Sequence, residues 1–257
     1  MGINILIPMN MRITLLVCLA PVFSFAQTAA PVKKAPSPSQ VVQISDTLIT
    51  KDPSSPGREH WIVMYSNGNM KCQGDMVNGL REGVWREYVG NNGLVNKVEE
   101  FRKGKKNGAA VSMGNSGMIT MDETYKDDVL NGRRITYSQS ARVKVTETFK
   151  DGLLDGERKS YYDDGKLQEE GFYVAGQRDG STKWYLQNGN ISLEYTYTKG
   201  TLNGPAKMYD ENGLIRQEGN YVNDNEDGEW KEYQNGQAVK KIIYKSGTVV
   251  KEIPYKQ

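Results

Sequence analysis

The chain has 257 residues and carries 33 Lys and Arg against 31 Asp and Glu, a net charge of +2. That near-balance argues against a protein that works by neutralising phosphate backbones. One His and two Cys exclude most zinc sites, disulfide scaffolds and imidazole-based catalysis, and a charged fraction of 25% argues against a polytopic membrane protein. What the composition leaves to explain is 27 Gly, where about 18 would be ordinary, together with 15 Tyr.

Met11 to Ala26 reads MRITLLVCLAPVFSFA, a basic start, a short apolar run broken by Pro21, and small residues at the end. This predicts a secretory signal over 1–26, with Met11 as an alternative start and cleavage after Ala26. Lipidation at Cys18 is the weaker reading, because Val17 is not the small residue that processing prefers. The ending Phe25-Ala26-Gln27 resembles signal-peptide ends common in the Bacteroidetes. Export across a Gram-negative inner membrane is therefore expected, to the periplasm, the outer membrane or the medium. The mature chain would keep one thiol, Cys72, which is expected to be buried and inert. Residues 27–58 begin with Ala, Pro, Ser and Lys and little to bury, and are expected to form a flexible linker, with a short strand over Val41–Thr50.

From 59 to 257 a period of 24 organises the sequence. One glycine column is Gly83, Gly108, Gly132, Gly156, Gly180, Gly204 and Gly228. Five residues after these stand Tyr88, Met113, Tyr137, Tyr161, Tyr185, Tyr209 and Tyr233. A second aromatic column is Phe101, Tyr125, Phe149, Tyr173, Tyr197, Tyr221 and Tyr244. Further glycine columns run through Gly68, Gly93, Gly117, Gly165, Gly189, Gly213 and Gly236, and through Gly79, Gly104, Gly152, Gly176, Gly200 and Gly247.

The unit reads as a β-hairpin. Asn67-Gly68, Asp164-Gly165, Asn188-Gly189, Asn212-Gly213 and Asn235-Gly236 offer the positive φ of tight turns. The segments between them carry Tyr, Val, Ile and Thr with no helical stripe. One hairpin is marginal alone, so each copy must lean on its neighbours. The expected fold is all-β: an elongated array of about eight hairpins of ~24 residues in a twisted antiparallel sheet, with the Tyr and Phe columns as a packing ladder. The boundary glycines are expected to let an aromatic ring lie against bare backbone.

Chemical candidates are few. His60 is the single imidazole, and strand-edge packing or exposure accounts for it. Asn223, Asn225 and Asp227 begin like a calcium loop, but Gln234 stands where the bidentate Glu is needed. Glu99, Glu123 and Glu147 could stack as three carboxylates, or cross-pair with Lys97, Lys144 or Arg142 on a solvated face. Lys103-Gly-Lys-Lys106 is a small basic turn, read as a solubility feature. Trp85, Trp184 and Trp230 lie off the aromatic columns and are expected to be exposed contact points. No catalytic, cofactor or metal site is expected.

From Trp61 to Tyr255 the pattern resembles the MORN repeat in its bacterial variant form, most cleanly in Gly228-Glu-Trp-Lys-Glu-Tyr233 and Tyr161-Tyr-Asp-Asp-Gly165-Lys-Leu167. Many bacterial members carry the label of a YwqK-type antitoxin, and eukaryotic members are linked to lipids, junction scaffolds and protein contacts. The resemblance implies a fold rather than an activity. The expected role is an exported, non-catalytic module that scaffolds or binds a protein partner. The alternatives are antitoxin-like neutralisation of a toxin, and lipid or glycan binding. Neither nucleic acid nor a small-molecule substrate is expected.

Overall fold

The computed structural model describes residues 40–256, so the expected signal segment and most of the linker lie outside the described residues. Nineteen strands and no helix form among them. They are β1 (Gln40–Ile44), β2 (Thr47–Lys51), β3 (Arg58–Met64), β4 (Met70–Val77), β5 (Leu80–Tyr88), β6 (Val95–Arg102) and β7 (Lys105–Met113). The middle of the chain gives β8 (Ile119–Lys126), β9 (Val129–Tyr137), β10 (Val143–Lys150), β11 (Leu153–Tyr161), β12 (Leu167–Val174) and β13 (Gln177–Tyr185). The sheet ends with β14 (Ile191–Thr198), β15 (Thr201–Tyr209), β16 (Ile215–Val222), β17 (Asn225–Gln234), β18 (Gln237–Lys245) and β19 (Thr248–Pro254).

Each strand pairs antiparallel with the next, giving one open meander with β1 and β19 at its edges. The single strand expected over Val41–Thr50 is a hairpin, β1 with β2 around Ser45-Asp46. The sheet therefore begins inside the segment expected to be linker, and the boundary at 59 falls within it.

Two kinds of turn alternate. Asn78-Gly79, Lys103-Gly104, Asp151-Gly152, Ala175-Gly176, Lys199-Gly200 and Ser246-Gly247 have positive φ at both residues, the mirror-image turn whose twist matches that of the strands. Asp127-Asp128 and Asn223-Asp224 do the same without glycine. There the second carboxylate accepts a backbone N–H, from Lys106 at 2.7 Å and from Leu202 at 2.8 Å. The Asn67-Gly68, Asp164-Gly165, Asn188-Gly189 and Asn212-Gly213 turns are different, because only their glycine is left-handed. In the first three the residue before the glycine accepts a hydrogen bond from the backbone two residues on, as Asn67 does from Asn69 at 3.0 Å, whereas in the fourth Asp210 accepts from Asn212 and Leu214, both at 2.9 Å. Asn235-Gly236 alone of the expected Asn-Gly turns has positive φ at both positions.

The boundary glycines are required by conformation rather than by ring contact. Gly108, Gly132, Gly156 and Gly204 have φ between 124° and 128°, and a Cβ there would meet Glu100 or a threonine, not an aromatic ring. Rings lie on glycine elsewhere. A Cβ at Gly74 would stand 2.5 Å from the Trp85 ring, and one at Gly219 would stand 2.2 Å from the Trp230 ring.

Register assigns side chains to two faces. One central row runs Ile49, Trp61, Gly74, Trp85, Glu99, Ala110, Glu123, Arg134, Glu147, Arg158, Gly171, Thr182, Tyr195, Ala206, Gly219, Trp230 and Ile242. We call this the indole face. The row behind it runs Val98, Val111, Asp122, Ile135, Thr146, Lys159, Glu170, Lys183, Glu194, Lys207, Glu218 and Lys231, the lysine face. Apolar burial changes sides along the sheet. It lies at Ile135 on the lysine face in the middle repeats, and at Ala206, Trp230 and Ile242 on the indole face toward the C-terminal edge.

Candidate functional site

The C-terminal end of the indole face is built on backbone that the sequence opens deliberately. A register shift between Glu218 and Asn220 leaves Gly219 out of the β16–β17 ladder. With no Cβ there, the Trp230 indole lies flat on Gly219 and donates its Nε1–H to the Asn220 carbonyl at 3.1 Å. That bond satisfies a carbonyl at the bulge and fixes the ring, which is 1% exposed. Tyr221 meets Trp230 edge to face at 5.2 Å, Tyr244 meets it at 6.1 Å, and Tyr195 meets Tyr221 at 5.8 Å. Trp184 extends the chain of rings by its contact with Tyr195 at 5.7 Å.

Trp85 repeats the device near the other edge. It lies on Gly74, donates to the Asp75 carbonyl at 2.9 Å and is 4% exposed. Trp85 and Trp230 are therefore core residues, and the expectation of exposed contact points fails for both. They share one repeat position, two residues after Gly83 and Gly228, and a glycine stands eleven residues before each. Trp184 is half-buried, with the Arg178 guanidinium 5.5 Å from its ring centre.

Between the two indoles the same row is ionic. Glu99 is 5% exposed and meets Lys106 at 2.7 Å and Lys97 at 3.9 Å. The Glu99 hydrogen bond, more than any other influence, raises the Lys106 pKa. Glu147 bridges Arg134 at 2.8 Å and Arg158 at 3.5 Å. Arg158 continues to Glu169 at 3.0 Å, and Glu169 ends on Arg178. Glu123 accepts from the Tyr125 hydroxyl at 3.1 Å. So Glu99, Glu123 and Glu147 are not a stack of free carboxylates. Residues 24 apart stand two strands apart, about 10 Å, and Ala110 and Arg134 come between them. Lys144 and Arg142 are not their partners; Arg142 instead donates to the Asp163 carbonyl at 2.6 Å.

The same interleaving splits the aromatic ladder. The Phe101-to-Tyr244 column lies on the indole face, and its ring contacts run to neighbouring columns rather than along its own. The Tyr88-to-Tyr233 column lies on the lysine face. There Tyr185 donates to Glu170 and Tyr233 to Glu218, both at 2.6 Å. The Glu218 hydrogen bond, then burial, push the Tyr233 phenol up to about 12. Lys and Glu alternate in that row, with shallow hollows of about 310 Å³ beside Gly219 and about 350 Å³ beside Gly171.

The other candidates stay apart. His60 Nδ1 meets Asp75 at 2.7 Å, and Arg58 holds the same carboxylate. Asn223 and Asp224 form a mirror-image turn, and Asn225 donates back to the Asn223 carbonyl. No metal-holding cluster of His, Cys, Asp and Glu forms among the described residues. Lys103 and Lys105 line a hollow of about 720 Å³ with Asp127 and Asn131. Cys72 is half-buried, and burial pushes its thiol pKa up. Sequence reasoning passed over Tyr195, Arg178 and the alternating Lys–Glu row. Pairing the residue two after each boundary glycine with the one eleven before it exposes the signal: Gly faces Trp85, Trp230 or Thr182, and larger residues face Ala110 or Ala206.

Residues 154–175, 178–199 and 202–223 match the family model of the MORN repeat variant. These three consecutive segments are β11–β12, β13–β14 and β15–β16 with their turns, and the same hairpin register continues on both sides of them. None of the curated proteins matches the chain. Among solved structures, a porin-like protein from Bacteroides uniformis is similar over 78% of this chain and 90% of its own, at 10% identity and a TM-score of 0.19. At that score the likeness carries no argument about this sheet.

Proposed function

We propose that this chain is an exported, non-catalytic repeat protein that serves as a protein-interaction or scaffold module at the cell envelope. The observation that carries the reading is the open meander of repeats, which presents one set of side-chain positions again and again over two broad faces. Repeat sheets of this kind offer extended surfaces to partners. The groups a catalyst would use are engaged across strands instead: His60 with Asp75, Glu99 with Lys106, Glu147 with Arg134. The Met11–Ala26 segment supports export.

The test is fractionation with crosslinking mass spectrometry in the native host. The expected result is recovery in the envelope or medium, with lysines of the sheet joined to the same protein in repeated experiments. A cytoplasmic location with no joined protein above an untagged control overturns the reading.

A further inference from the structure

Three copies of one repeat position show how this sheet treats its rings. Arg81, Lys106 and Arg178 each stand two residues before a boundary glycine, on the indole face. The Arg81 guanidinium lies 4.4 Å from the Trp85 ring centre and 5.1 Å from that of Phe101. Lys106 lies 4.9 Å from Tyr125, with Glu99 as counter-ion. Arg178 stands among Tyr173, Trp184 and Tyr197 at 5.5–5.6 Å, with Glu169 as counter-ion. A cation over ring faces is held by their quadrupole, and more strongly when partly desolvated.

Glu226 occupies the same position two residues before Gly228. It pairs across strands with Tyr221, beside the Tyr195–Tyr221–Trp230–Tyr244 cluster. Its carboxylate faces these phenols: after burial it is the largest influence raising the pKa of Tyr221 and of Tyr244. Among the described residues no Lys or Arg forms an ion pair with Glu226. Lys240, which lies within electrostatic reach of Tyr244, is held by Glu232 at 3.0 Å and Glu252 at 3.4 Å. Leu130, Leu154 and Leu202 hold the position in the remaining repeats, so Glu226 is the one carboxylate there. Rings and an anion are thus in place, and a cation like that at Arg81, Lys106 and Arg178 is absent from the chain's own residues around them.

We propose that Glu226, with Tyr195, Tyr221 and Tyr244, is the docking point for an arginine side chain of a protein partner. The assignment rests on the interaction reading above and names the chemistry of the partner. Arginine is favoured over lysine because the sheet's own multi-ring examples, Arg81 and Arg178, place a planar, weakly hydrated guanidinium among two or three rings.

The test follows the indole N–H resonances of the full chain during titration with acetyl-Gly-Arg-Gly-amide. The Trp230 resonance should shift saturably, while that of Trp85, already covered by Arg81, should stay in place. The lysine peptide should bind more weakly, and Glu226→Gln should lower affinity for the arginine peptide by about tenfold, as loss of one charge-assisted contact would. Glu226→Arg supplies the missing cation in cis. It should abolish peptide binding while keeping the wild-type circular dichroism and a melting temperature at or above that of wild type. An arginine peptide that fails to move Trp230, or that binds Glu226→Arg as it binds wild type, overturns the proposal. So does a Trp230 shift produced by phosphatidylcholine vesicles and not by the peptide. Loss of peptide binding with envelope crosslinks intact sinks the docking point and leaves the interaction reading standing. Peptide binding with no crosslinked protein supports the docking chemistry and sinks the broader reading.

Discussion

The repeat around Trp85 and the repeat around Trp230 share a backbone device and differ in what covers it. Both lay an indole on a bulge glycine, Gly74 or Gly219, and both spend the indole N–H on the next carbonyl. At the first, Arg81 and Phe101 close over the ring. At the second, Tyr221 and Tyr244 close over it, and Glu226 stands where the cation would be. The first group has its cation within the chain, and the second retains a carboxylate among phenols. A single-layer sheet can therefore hold the same packing at two places and leave only one with unspent recognition chemistry.

Removing the indoles should have the largest effect on both repeats. Trp230→Ala should cost about 3–5 kcal/mol, the range for deleting a large buried aromatic. Trp85→Ala should fall at the low end of that range, because the Arg81 stem can settle toward Gly74. Urea unfolding followed by far-ultraviolet circular dichroism reads both. Equal, small losses would show that neither ring anchors its repeat.

A smaller effect tests the glycine beneath the ring. Gly219→Ala places a Cβ 2.2 Å from the Trp230 ring and should cost about 1–3 kcal/mol through overpacking. Gly228→Ala meets nothing within 4 Å but must hold φ at 76°, so its loss should be about 1–2 kcal/mol and purely conformational. Trp230→Ala should rescue Gly219→Ala in a double mutant and leave Gly228→Ala unrescued. Additive losses for both pairs would refute the close approach.

The two ends should also part in alkali. Burial, then Glu226, push the Tyr221 phenol up to about 12, and Glu218 with burial do the same for Tyr233. A phenol titrates near 10 in the unfolded chain. The folded state thus holds these protons more tightly, and the stability this gives is fully present below pH 10 and is lost as pH rises through 12. Phe101 at the first end has nothing to titrate. Indole fluorescence of single-Trp variants across pH 9–12 should show the Trp230 repeat loosening before the Trp85 repeat. The reverse order would contradict the assignment.

The hairpin period was legible because glycine is the residue that positive φ selects, and its 24-residue recurrence survives changes at other positions. The faces were harder to read. Columns 24 apart look stacked in sequence, yet antiparallel pairing sets a different residue between each pair, as Arg134 stands between Glu123 and Glu147. The bulges at Gly74 and Gly219 also hid the indoles, because a tryptophan off the aromatic columns looks irregular until its glycine, eleven residues earlier, is set beside it. The recognition chemistry was invisible for a related reason. Glu226 acquires meaning only beside Arg81 and Arg178, where one repeat position carries opposite charges.

The smallest effect concerns the turns. The Trp85 and Trp230 repeats are entered through Asn78-Gly79 and Asn223-Asp224, whose first residue is one that tolerates left-handed backbone. Ala175 holds the corresponding place in the middle of the sheet at φ 49°, where its Cβ crowds the backbone without a compensating side-chain bond. Ala175→Asn should therefore stabilise the chain by about 0.5–1 kcal/mol, read as a rise in urea midpoint at unchanged slope. The same change at Lys199, φ 50°, should act alike, whereas Asn78→Ala and Asn223→Ala should lose as much as Ala175→Asn gains. If those losses and gains do not mirror one another, the turns of the indole repeats are fixed by their neighbours rather than by their own asparagines.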